Sequence, residues 1–391
     1  KQSNTNPGNI HYKIKNNLQP GSIERSIIRM MVKLRLLYFA IIIFKRPGKV
    51  SKAFKTLITI RKTVSGGDLN KMYKIGGKYY VSQYRPGWPS KMHDNFLKNE
   101  LQRLAAPYMA TQNLSFIFLA ITRKCPMSCE HCFEWDNLNQ KESFTKDDLF
   151  KVIDLYQKDG VQQFYFSGGE PMVRFKDLLQ LIKYASIKSE CWVLTSGFNF
   201  TVENALLLKK AGCTGVVVSV DHYIPELHNL FRATNNAFEL AVNAVVATQK
   251  AGMVTSISVC ATKKFIDDGH LMPYMNFAKD LGVQFVQVLE PKKVGHYAGK
   301  DVLLDEKHIV KLEEVFLRVN HDAEYKNYPI IFYHGYYQRR IGCLSGSRSL
   351  YIDSAGDVNA CPFCHTKSYN IIQLVRSNEN KLPFTEKKCP L

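Results

Sequence analysis

Residues 121–137 read ITRKCPMSCEHCFEWDN and directly follow the apolar run 116–121. Within them, Cys125, Cys129 and Cys132 are spaced Cys-X3-Cys-X2-Cys. Zinc sites usually pair cysteines two by two, and a second pair of cysteines or histidines completes the tetrahedron. Three cysteines in one short loop are better suited to three irons of a [4Fe–4S] cube, which leaves the fourth iron open to a small chelating molecule.

A second motif follows the next apolar run, where residues 164–171 read FYFSGGEP. The pattern predicts a strand that ends in a Gly-Gly turn. Gly168 and Gly169 allow the backbone to approach a ligand closely. The Glu170 carboxylate can accept charge-assisted hydrogen bonds from an amino group.

Together, the cysteine triplet and the GGEP turn resemble the radical S-adenosylmethionine (SAM) superfamily, in which this turn contacts the methionine part of SAM. The resemblance implies a SAM-binding [4Fe–4S] cluster on the three cysteines. It also implies SAM contacts from the whole turn, namely Ser167, Gly168, Gly169, Glu170 and Pro171. A structural zinc knuckle is the alternative interpretation, because short motifs also match by chance.

Strand and helix patterns alternate from residue 115 to about residue 292. Strands are predicted at 115–121, 162–167, 191–196, 215–220, 255–260 and 283–289. Helices are predicted at 145–159, 175–188, 201–212, 236–251 and 267–281. Such alternation is typical of an α/β fold with a parallel sheet, and six strands agree with the partial (β/α)6 barrel of the radical SAM family. In such barrels ligands lie where the strands end.

By the same resemblance, the ends of the third and fourth strands supply further candidates. Ser196 follows the third strand, near the position expected for the SAM ribose. Ser219 and Asp221 follow the fourth strand, where related enzymes contact the SAM carboxylate or ribose. Glu290, after the sixth strand, is a candidate for contact with SAM or substrate. Three other cysteines in or beside apolar strands are predicted to be inert core residues, namely Cys191, Cys213 and Cys260.

Residues 228–233, HNLFRA, resemble the H-D-X-X-R-G segment of related peptide-modifying enzymes. The resemblance makes Arg232 a candidate ligand of the SAM carboxylate. Asn229 and Ala233 depart from that segment, and a plain surface arginine is the alternative.

A second cysteine group, Cys343, Cys361, Cys364 and Cys389, lies near the C-terminus. Its opening spacing, Cys-X12-Gly-X4-Cys, resembles SPASM and twitch extensions, which bind auxiliary Fe–S clusters. The later cysteine-rich string of a full SPASM domain is missing, so the resemblance implies one auxiliary [4Fe–4S] cluster on four cysteines. Structural zinc on the same thiolates is the alternative. Residues 351–358 are predicted to form a hairpin that presents Cys361.

The formal net charge of the 391 residues is +19, and most of it lies near the N-terminus. Residues 1–64 carry 14 Lys and Arg residues against one acidic residue, which leaves a net charge of only +6 for the remainder. We therefore expect no nucleic-acid partner.

From residue 22 onward, apolar residues recur every three or four positions, which predicts a helix. Its longest apolar run, 36–44, has nine residues, whereas a membrane-spanning helix needs about 20. Arg25, Arg29 and Lys33 follow at intervals of four, so we expect the helix to lie in the interface of an anionic membrane. The alternative is a helix packed on the barrel with its basic face in solvent.

The other N-terminal predictions are a hairpin at 72–81, an aromatic loop at 84–89 and a helix at 91–105. The aromatic loop is either a substrate lid or, more in keeping with the packing role of Trp and Tyr, a packed connection. The predicted domains are a basic N-terminal extension, a radical SAM barrel and an auxiliary Fe–S domain, at 1–110, 111–300 and 301–391 respectively.

The resemblance implies reductive cleavage of SAM and removal of a hydrogen atom from a substrate. A peptide is the expected substrate because of the SPASM/twitch spacing, and a membrane lipid or lipid-linked molecule is the alternative. A non-catalytic metal-binding scaffold is a third interpretation. The GGEP turn argues against it, because a scaffold does not need a SAM-binding turn. The expected partners are a flavodoxin- or ferredoxin-type reductant and an anionic membrane surface. Reduced thiolates predict a cytoplasmic protein with peripheral membrane contact.

Overall fold

A computed structural model describes residues 19–105, 114–377, 379 and 381–383 of the chain. The helices are α1 Ser22–Phe44, α2 Pro47–Ser65, α3 Lys91–Ala105, α4 Lys146–Lys158, α5 Phe175–Ala185, α6 Val202–Ala211, α7 Pro225–Arg232, α8 Ala237–Lys250, α9 Lys263–Asp267, α10 Leu271–Asp280, α11 Glu306–His321, α12 His334–Ile341 and α13 Ile371–Arg376. The strands are β1 Tyr73–Ile75, β2 Lys78–Tyr80, β3 Phe116–Ala120, β4 Gln163–Ser167, β5 Glu190–Thr195, β6 Cys213–Ser219, β7 Val254–Cys260, β8 Phe285–Leu289, β9 Ile330–Tyr333, β10 Ser349–Ile352, β11 Asp357–Asn359 and β12 Tyr369–Asn370.

Within these residues, ten strands form one sheet in the order β12-β11-β10-β3-β4-β5-β6-β7-β8-β9. The strands from β10 to β9 run parallel, and β11 and β12 add antiparallel pairs at one edge. The predicted α/β fold with a partial barrel is confirmed, and strands β3 to β8 are the six that the sequence predicts. The sequence prediction omits β9 and places β10 only in a separate C-terminal hairpin, whereas in the structure both strands extend the parallel sheet, one on each side.

Local sequence signals place the helix ends. The Thr145 side chain accepts a hydrogen bond from the backbone of Asp148 and so caps α4, and Gly212 ends α6 with a φ of +104°. The predicted helix 267–281 differs, because the structure has α9 and α10 on either side of a turn. Gly269 lies in that turn with a φ of +77°, a conformation that favours glycine.

The inner face of the barrel is filled by an aromatic core at the end where the strands begin. Tyr73 and Tyr80 from the hairpin β1–β2 pack there beside Trp192 and Phe285. The predicted hairpin therefore closes this end of the barrel. Tyr84 also packs there, with its ring 5.2 Å from that of Phe116, so the start of the aromatic loop is a packed connection.

Helix α1 packs through one face and exposes another. Leu36, Phe39 and Ala40 are buried against α2 and α3, and Ile28 is also buried. The exposed face, here called the α1 stripe, consists of Ile23, Ile27, Met30, Met31, Leu34, Leu37, Tyr38, Ile41 and Ile42. None of the described helices is both long enough and apolar enough to cross a membrane.

The C-terminal strands join the barrel sheet. Strands β10 and β11 form the predicted hairpin, in which Ile352 pairs with Val358. Strand β10 also runs parallel to β3, with Ile352 beside Leu119. Residues 349–370 therefore share a sheet with the barrel strands, while the domain boundaries near residues 110 and 300 stay predictions.

Candidate active site

The cysteine loop, residues 121–139, leaves the end of β3 and is held by hydrogen bonds at both of its ends. The Asn139 side chain accepts from the backbone N–H of Cys125 at 3.1 Å and donates to its carbonyl at 3.2 Å. The Thr122 hydroxyl donates to Glu142 at 2.5 Å. These bonds fix the backbone that presents the three cysteines.

The chemistry of the three thiols fits an iron–sulfur cluster. Cys129 is buried against Met127 and Ala237, and Cys125 and Cys132 are half-buried beside them. Burial raises the pKa of Cys125 and of Cys132 to about 12, and a coordinated metal deprotonates such a thiol. No group of three or more His, Cys, Asp or Glu side chains in the described ranges is arranged to hold a single metal ion. The fit of an iron–sulfur cluster to this loop therefore rests on the three cysteine thiols and on their burial.

The GGEP turn lies directly against the cysteine loop. The backbone N–H of Gly169 donates to the Thr122 carbonyl, and that of Glu170 donates to the Lys124 carbonyl, both at 2.8 Å. A Cβ at Gly168 would lie 2.5 Å from the Thr122 oxygen, and one at Gly169 would lie 2.4 Å from the Lys124 oxygen. The two glycines are thus required for contact with the cysteine loop, whereas the sequence argument assigns them to ligand approach.

Glu170 is buried, and its carboxylate accepts four hydrogen bonds from the protein. One oxygen accepts from the Thr195 hydroxyl at 2.8 Å and from the Met172 backbone at 3.1 Å. The other accepts from the Ser196 backbone at 2.7 Å and from its hydroxyl at 2.6 Å. Burial raises the pKa of Glu170 against the opposing effect of these bonds. Glu170 therefore joins the GGEP turn to the end of β5, and its predicted contact with SAM stays a prediction.

Arg232 is buried beside the cysteine loop and is not the surface arginine of the alternative interpretation. Its Nε donates to an Asp221 carboxylate oxygen at 2.6 Å, and its Nη1 lies 3.5 Å from the Cys129 sulfur. Burial on its own would raise the pKa of Asp221. The positive charge of Arg232, with smaller effects from His131 and His228, outweighs burial, so the pKa of Asp221 is lowered. The pair thus carries its charges directly behind a predicted iron ligand.

Two contacts of the cysteine loop have no sequence signal. The loop 294–297 closes over it, and the His296 ring stacks on Trp135 at 3.9 Å. A Cβ at Gly295 would lie 2.3 Å from the Cys132 carbonyl oxygen. Glu134 is buried and accepts hydrogen bonds from the hydroxyls of Tyr351 and Ser354.

The C-terminal cysteines lie on the same side of the molecule as the cysteine loop. The Phe363 ring packs edge-on against Phe133 at 5.8 Å, and the backbone of Cys364 donates to Cys361 at 3.1 Å. The Gln338 amide lies 3.7 Å from the Cys343 sulfur. The predicted fourth ligand, Cys389, lies outside the described residues.

One cavity of about 900 Å³ joins these parts. The predicted site residues that line it are Cys125, Cys129, Cys132, Ser167, Gly168, Gly169, Glu170, Ser196, Ser219, Asp221, Arg232, Glu290, Cys343, Cys361 and Cys364. Pro171 is buried in the turn and does not line the cavity. Cys191 and Cys213 are buried core residues as predicted, whereas Cys260 lies at the end of β7 and does line it.

Glu290 occupies a polar part of the cavity wall. Its carboxylate accepts from the Tyr333 hydroxyl and from Arg339, both at 2.7 Å, and from Lys292 at 3.1 Å. Burial works against its ionisation, but Lys292 and Arg339 outweigh it and lower the pKa of Glu290. Glu290 is therefore an ionised, fully paired group at the end of β8.

Part of the barrel is similar in sequence to known proteins. Residues 119–270 match the sequence family described as the Radical SAM superfamily. A relative, the AdoMet-dependent heme synthase of Oleidesulfovibrio alaskensis, is 30% identical over 145 residues, which are 37% of this chain and 37% of that protein. The chain thus matches little more than a third of that relative's length.

Solved structures share the fold. Streptococcus suis SuiB bound to its precursor peptide SuiA is 14% identical, with a TM-score of 0.55 over 82% of this chain and 74% of that chain. Native anSMEcpe with bound AdoMet is 22% identical, with a TM-score of 0.52 over 66% of this chain and 78% of that chain. The cysteine loop, the GGEP turn and Arg232 all lie inside residues 119–270, the part of this chain that matches the Radical SAM superfamily.

Proposed function

We propose that the chain is an enzyme that cleaves SAM reductively and removes a hydrogen atom from a bound substrate. The observation that carries the proposal is the direct contact of the GGEP turn with the cysteine loop at one end of a large cavity. When bound, a [4Fe–4S] cluster and SAM supply a reducing electron and a 5′-deoxyadenosyl radical. The electron would come from a flavodoxin- or ferredoxin-type donor.

The residues of the chain have separate tasks in this proposal. Cys125, Cys129 and Cys132 would hold the cluster, and Arg232 would donate to the sulfur of Cys129. Glu170 would hold Ser196 at the end of β5, where the ribose of SAM is expected. The cavity walls would exclude water from the reacting atoms, which prevents loss of a reactive intermediate.

Two substrate classes are supported by different observations. A peptide substrate is supported by the likeness to SuiB, which was solved with a precursor peptide, although at this identity the likeness concerns the fold. A lipid or lipid-linked substrate is favoured by the exposed α1 stripe. The auxiliary cluster expected on the C-terminal cysteines is compatible with either substrate.

The first prediction tests the reaction. Anaerobic reconstitution with iron and sulfide, followed by SAM and dithionite, should yield 5′-deoxyadenosine. Changing Cys125, Cys129 or Cys132 to Ala should abolish that product, because two thiolates cannot hold three irons of the cluster. The matched control is Cys213→Ala, which removes a thiol from the core and should retain the product. Undiminished 5′-deoxyadenosine from any one of the three loop variants would contradict the proposal.

A further inference from the structure

The cavity has a second part, here called the helical arm, which lies between the barrel and helices α1, α2 and α3. Its wall is mostly apolar and includes Val32, Leu36, Leu57, Ile58, Val64 and Phe96. Since the same cavity reaches the cysteine loop, a long molecule could occupy both parts at once. The apolar walls suit an aliphatic chain, because burying apolar surface is favourable in proportion to its area.

Two arginines face this apolar space without a partner. Arg61 on α2 and Arg85 in the aromatic loop both line the cavity. Across the described ranges, neither side chain makes a hydrogen bond or an ion pair. The Arg85 guanidinium lies 5.4 Å from the centre of the Phe96 ring, which orients it but does not neutralise it. Burial, together with the smaller effect of the charge on Arg61, lowers the pKa of Arg85 to about 10.

The nearby carboxylates are already used. Glu100 accepts from Arg103 and from Arg348, both at 2.6 Å. Asp68, which acts on Arg61 from a distance, is itself paired with Lys62 at 2.7 Å. Arg61 and Arg85 are half-buried, and charges removed from water are normally paired. The helical arm therefore carries two guanidinium groups that have no carboxylate in direct contact with them.

We propose that the helical arm binds a phosphate-bearing amphiphile, with the phosphate held by Arg61 and Arg85 and the aliphatic chain packed along the apolar walls. A phosphate monoester carries about −1.5 to −2 charges at neutral pH, which matches two guanidiniums, whereas a single carboxylate would leave one of them unbalanced. Guanidinium groups bind phosphate oxygens in a bidentate manner. Lys33, which also lines the cavity, adds a third positive charge.

The exposed α1 stripe favours a lipid over a peptide as this ligand. Residues of α1 form both the stripe and part of the helical-arm wall, so the site lies beside the surface that would meet a membrane. The idea that the amphiphile is the substrate rests on the proposed function. The idea that the helical arm binds the amphiphile does not depend on that function.

The test measures binding to the full-length chain by isothermal titration calorimetry, without SAM or reductant. Geranyl phosphate should bind, and geraniol and inorganic phosphate should each bind at least tenfold more weakly. Arg61→Gln should weaken binding of geranyl phosphate at least tenfold, and Arg61→Gln/Arg85→Gln should weaken it further. Arg61→Lys should bind with intermediate affinity, because it keeps the charge and loses the planar fork.

The matched control is Arg318→Gln, which removes an exposed arginine of α11 that does not line the cavity and should leave the affinity within twofold. Thermal unfolding would verify that each variant is folded. Equal affinity for geraniol, or unchanged affinity in both Arg61 variants, would overturn the proposal. Inorganic phosphate binding as tightly as geranyl phosphate would replace the amphiphile with free phosphate, and tighter binding of an acidic peptide would overturn the lipid class. Since no outcome depends on SAM cleavage, failure here is distinct from failure of the proposed reaction.

Discussion

Ala233 ends helix α7 with a φ of +51°, in the left-handed region that favours glycine. Related peptide-modifying enzymes are expected to have glycine at this position, which follows Arg232. Here the conformation is retained without glycine, because the backbone of Thr234 donates to Asn229 and the Asn229 side chain accepts from the backbone of Phe238 at 2.8 Å. Asn229 and Ala233, which differ from the related H-D-X-X-R-G segment, therefore do not disrupt the turn that follows Arg232.

The second prediction concerns this residue. Ala233→Gly should raise the free energy of unfolding by about 1 kcal/mol, because glycine removes the steric penalty of the left-handed conformation. The comparison variant is Ala205→Gly in the interior of α6, which should lower the free energy of unfolding by about 0.5–1 kcal/mol. Chemical denaturation of both variants measures the two values. A loss of stability in Ala233→Gly as large as that in Ala205→Gly would show that φ at residue 233 is not strained.

At the scale of single elements, the hairpin β10–β11 connects the two cysteine groups. Tyr351 and Ser354 hold Glu134 of the cysteine loop, and the chain then continues to Cys361 and Cys364. The hairpin also belongs to the barrel sheet through β3. A metal bound by the C-terminal cysteines would thus be supported by the same element that supports the cysteine loop.

The third prediction tests that metal. A Cys125→Ala/Cys129→Ala/Cys132→Ala variant, reconstituted anaerobically with iron and sulfide, should retain about four irons if a complete auxiliary [4Fe–4S] cluster is present. Adding Cys361→Ala should lower the iron content, whereas adding Cys213→Ala should not. Iron and zinc content by mass spectrometry, with the visible absorption of the cluster, are the measurements. Zinc in place of iron would support the structural-zinc alternative, and an absence of both metals would remove the auxiliary site.

At the scale of the whole molecule, the α1 stripe carries nine of the large apolar side chains that are exposed in the described part of the chain. Isolated exposed apolar residues are common, but nine on one helix form a contiguous patch of the kind that marks an interaction site. Lys45, Arg46, Lys49 and Lys52 follow at its end, and no ion pair involves them in the residues that the structure covers. An apolar face beside unpaired basic residues fits an anionic lipid surface.

The fourth prediction is that the protein binds liposomes through this stripe. Binding in a sedimentation assay should rise with the fraction of anionic lipid and weaken with salt, because each basic residue contributes about 1 kcal/mol within a Debye length. Ile27→Gln/Leu34→Gln/Ile41→Gln should lower the affinity at least tenfold, since burial of each such side chain contributes about 1.5–3 kcal/mol.

The control replaces three exposed apolar residues on other helices or loops, Ile187→Gln/Leu206→Gln/Val310→Gln, and should bind as the unmodified protein does. Equal binding to neutral liposomes would indicate hydrophobic insertion without an electrostatic contribution. If neither the control nor the unmodified protein sediments with liposomes, the α1 stripe contacts something other than a lipid surface.

Local sequence signals were sufficient for the barrel and for the location of the site. A run of apolar residues followed by a turn fixes a parallel strand and its end, so β3 to β8 and the Cys-X3-Cys-X2-Cys loop could be predicted. The GGEP turn could be placed near that loop because neighbouring parallel strands end at one edge of the sheet. The hairpin β1–β2 and the hairpin β10–β11 were predicted for the same reason, since turn residues act locally.

Contacts between distant parts of the chain required the tertiary structure. The pairing of β10 with β3, the three hydrogen bonds that Glu170 accepts from Thr195 and Ser196, and the closure of Gly295 over Cys132 join residues more than 20 positions apart. Periodicity identified the apolar residues of α1, but it could not tell which of them pack on α2 and α3 and which face solvent. The sequence determines which residues are apolar, charged or conformationally free, whereas burial and charge pairing depend on which surfaces meet, and only the folded chain decides that.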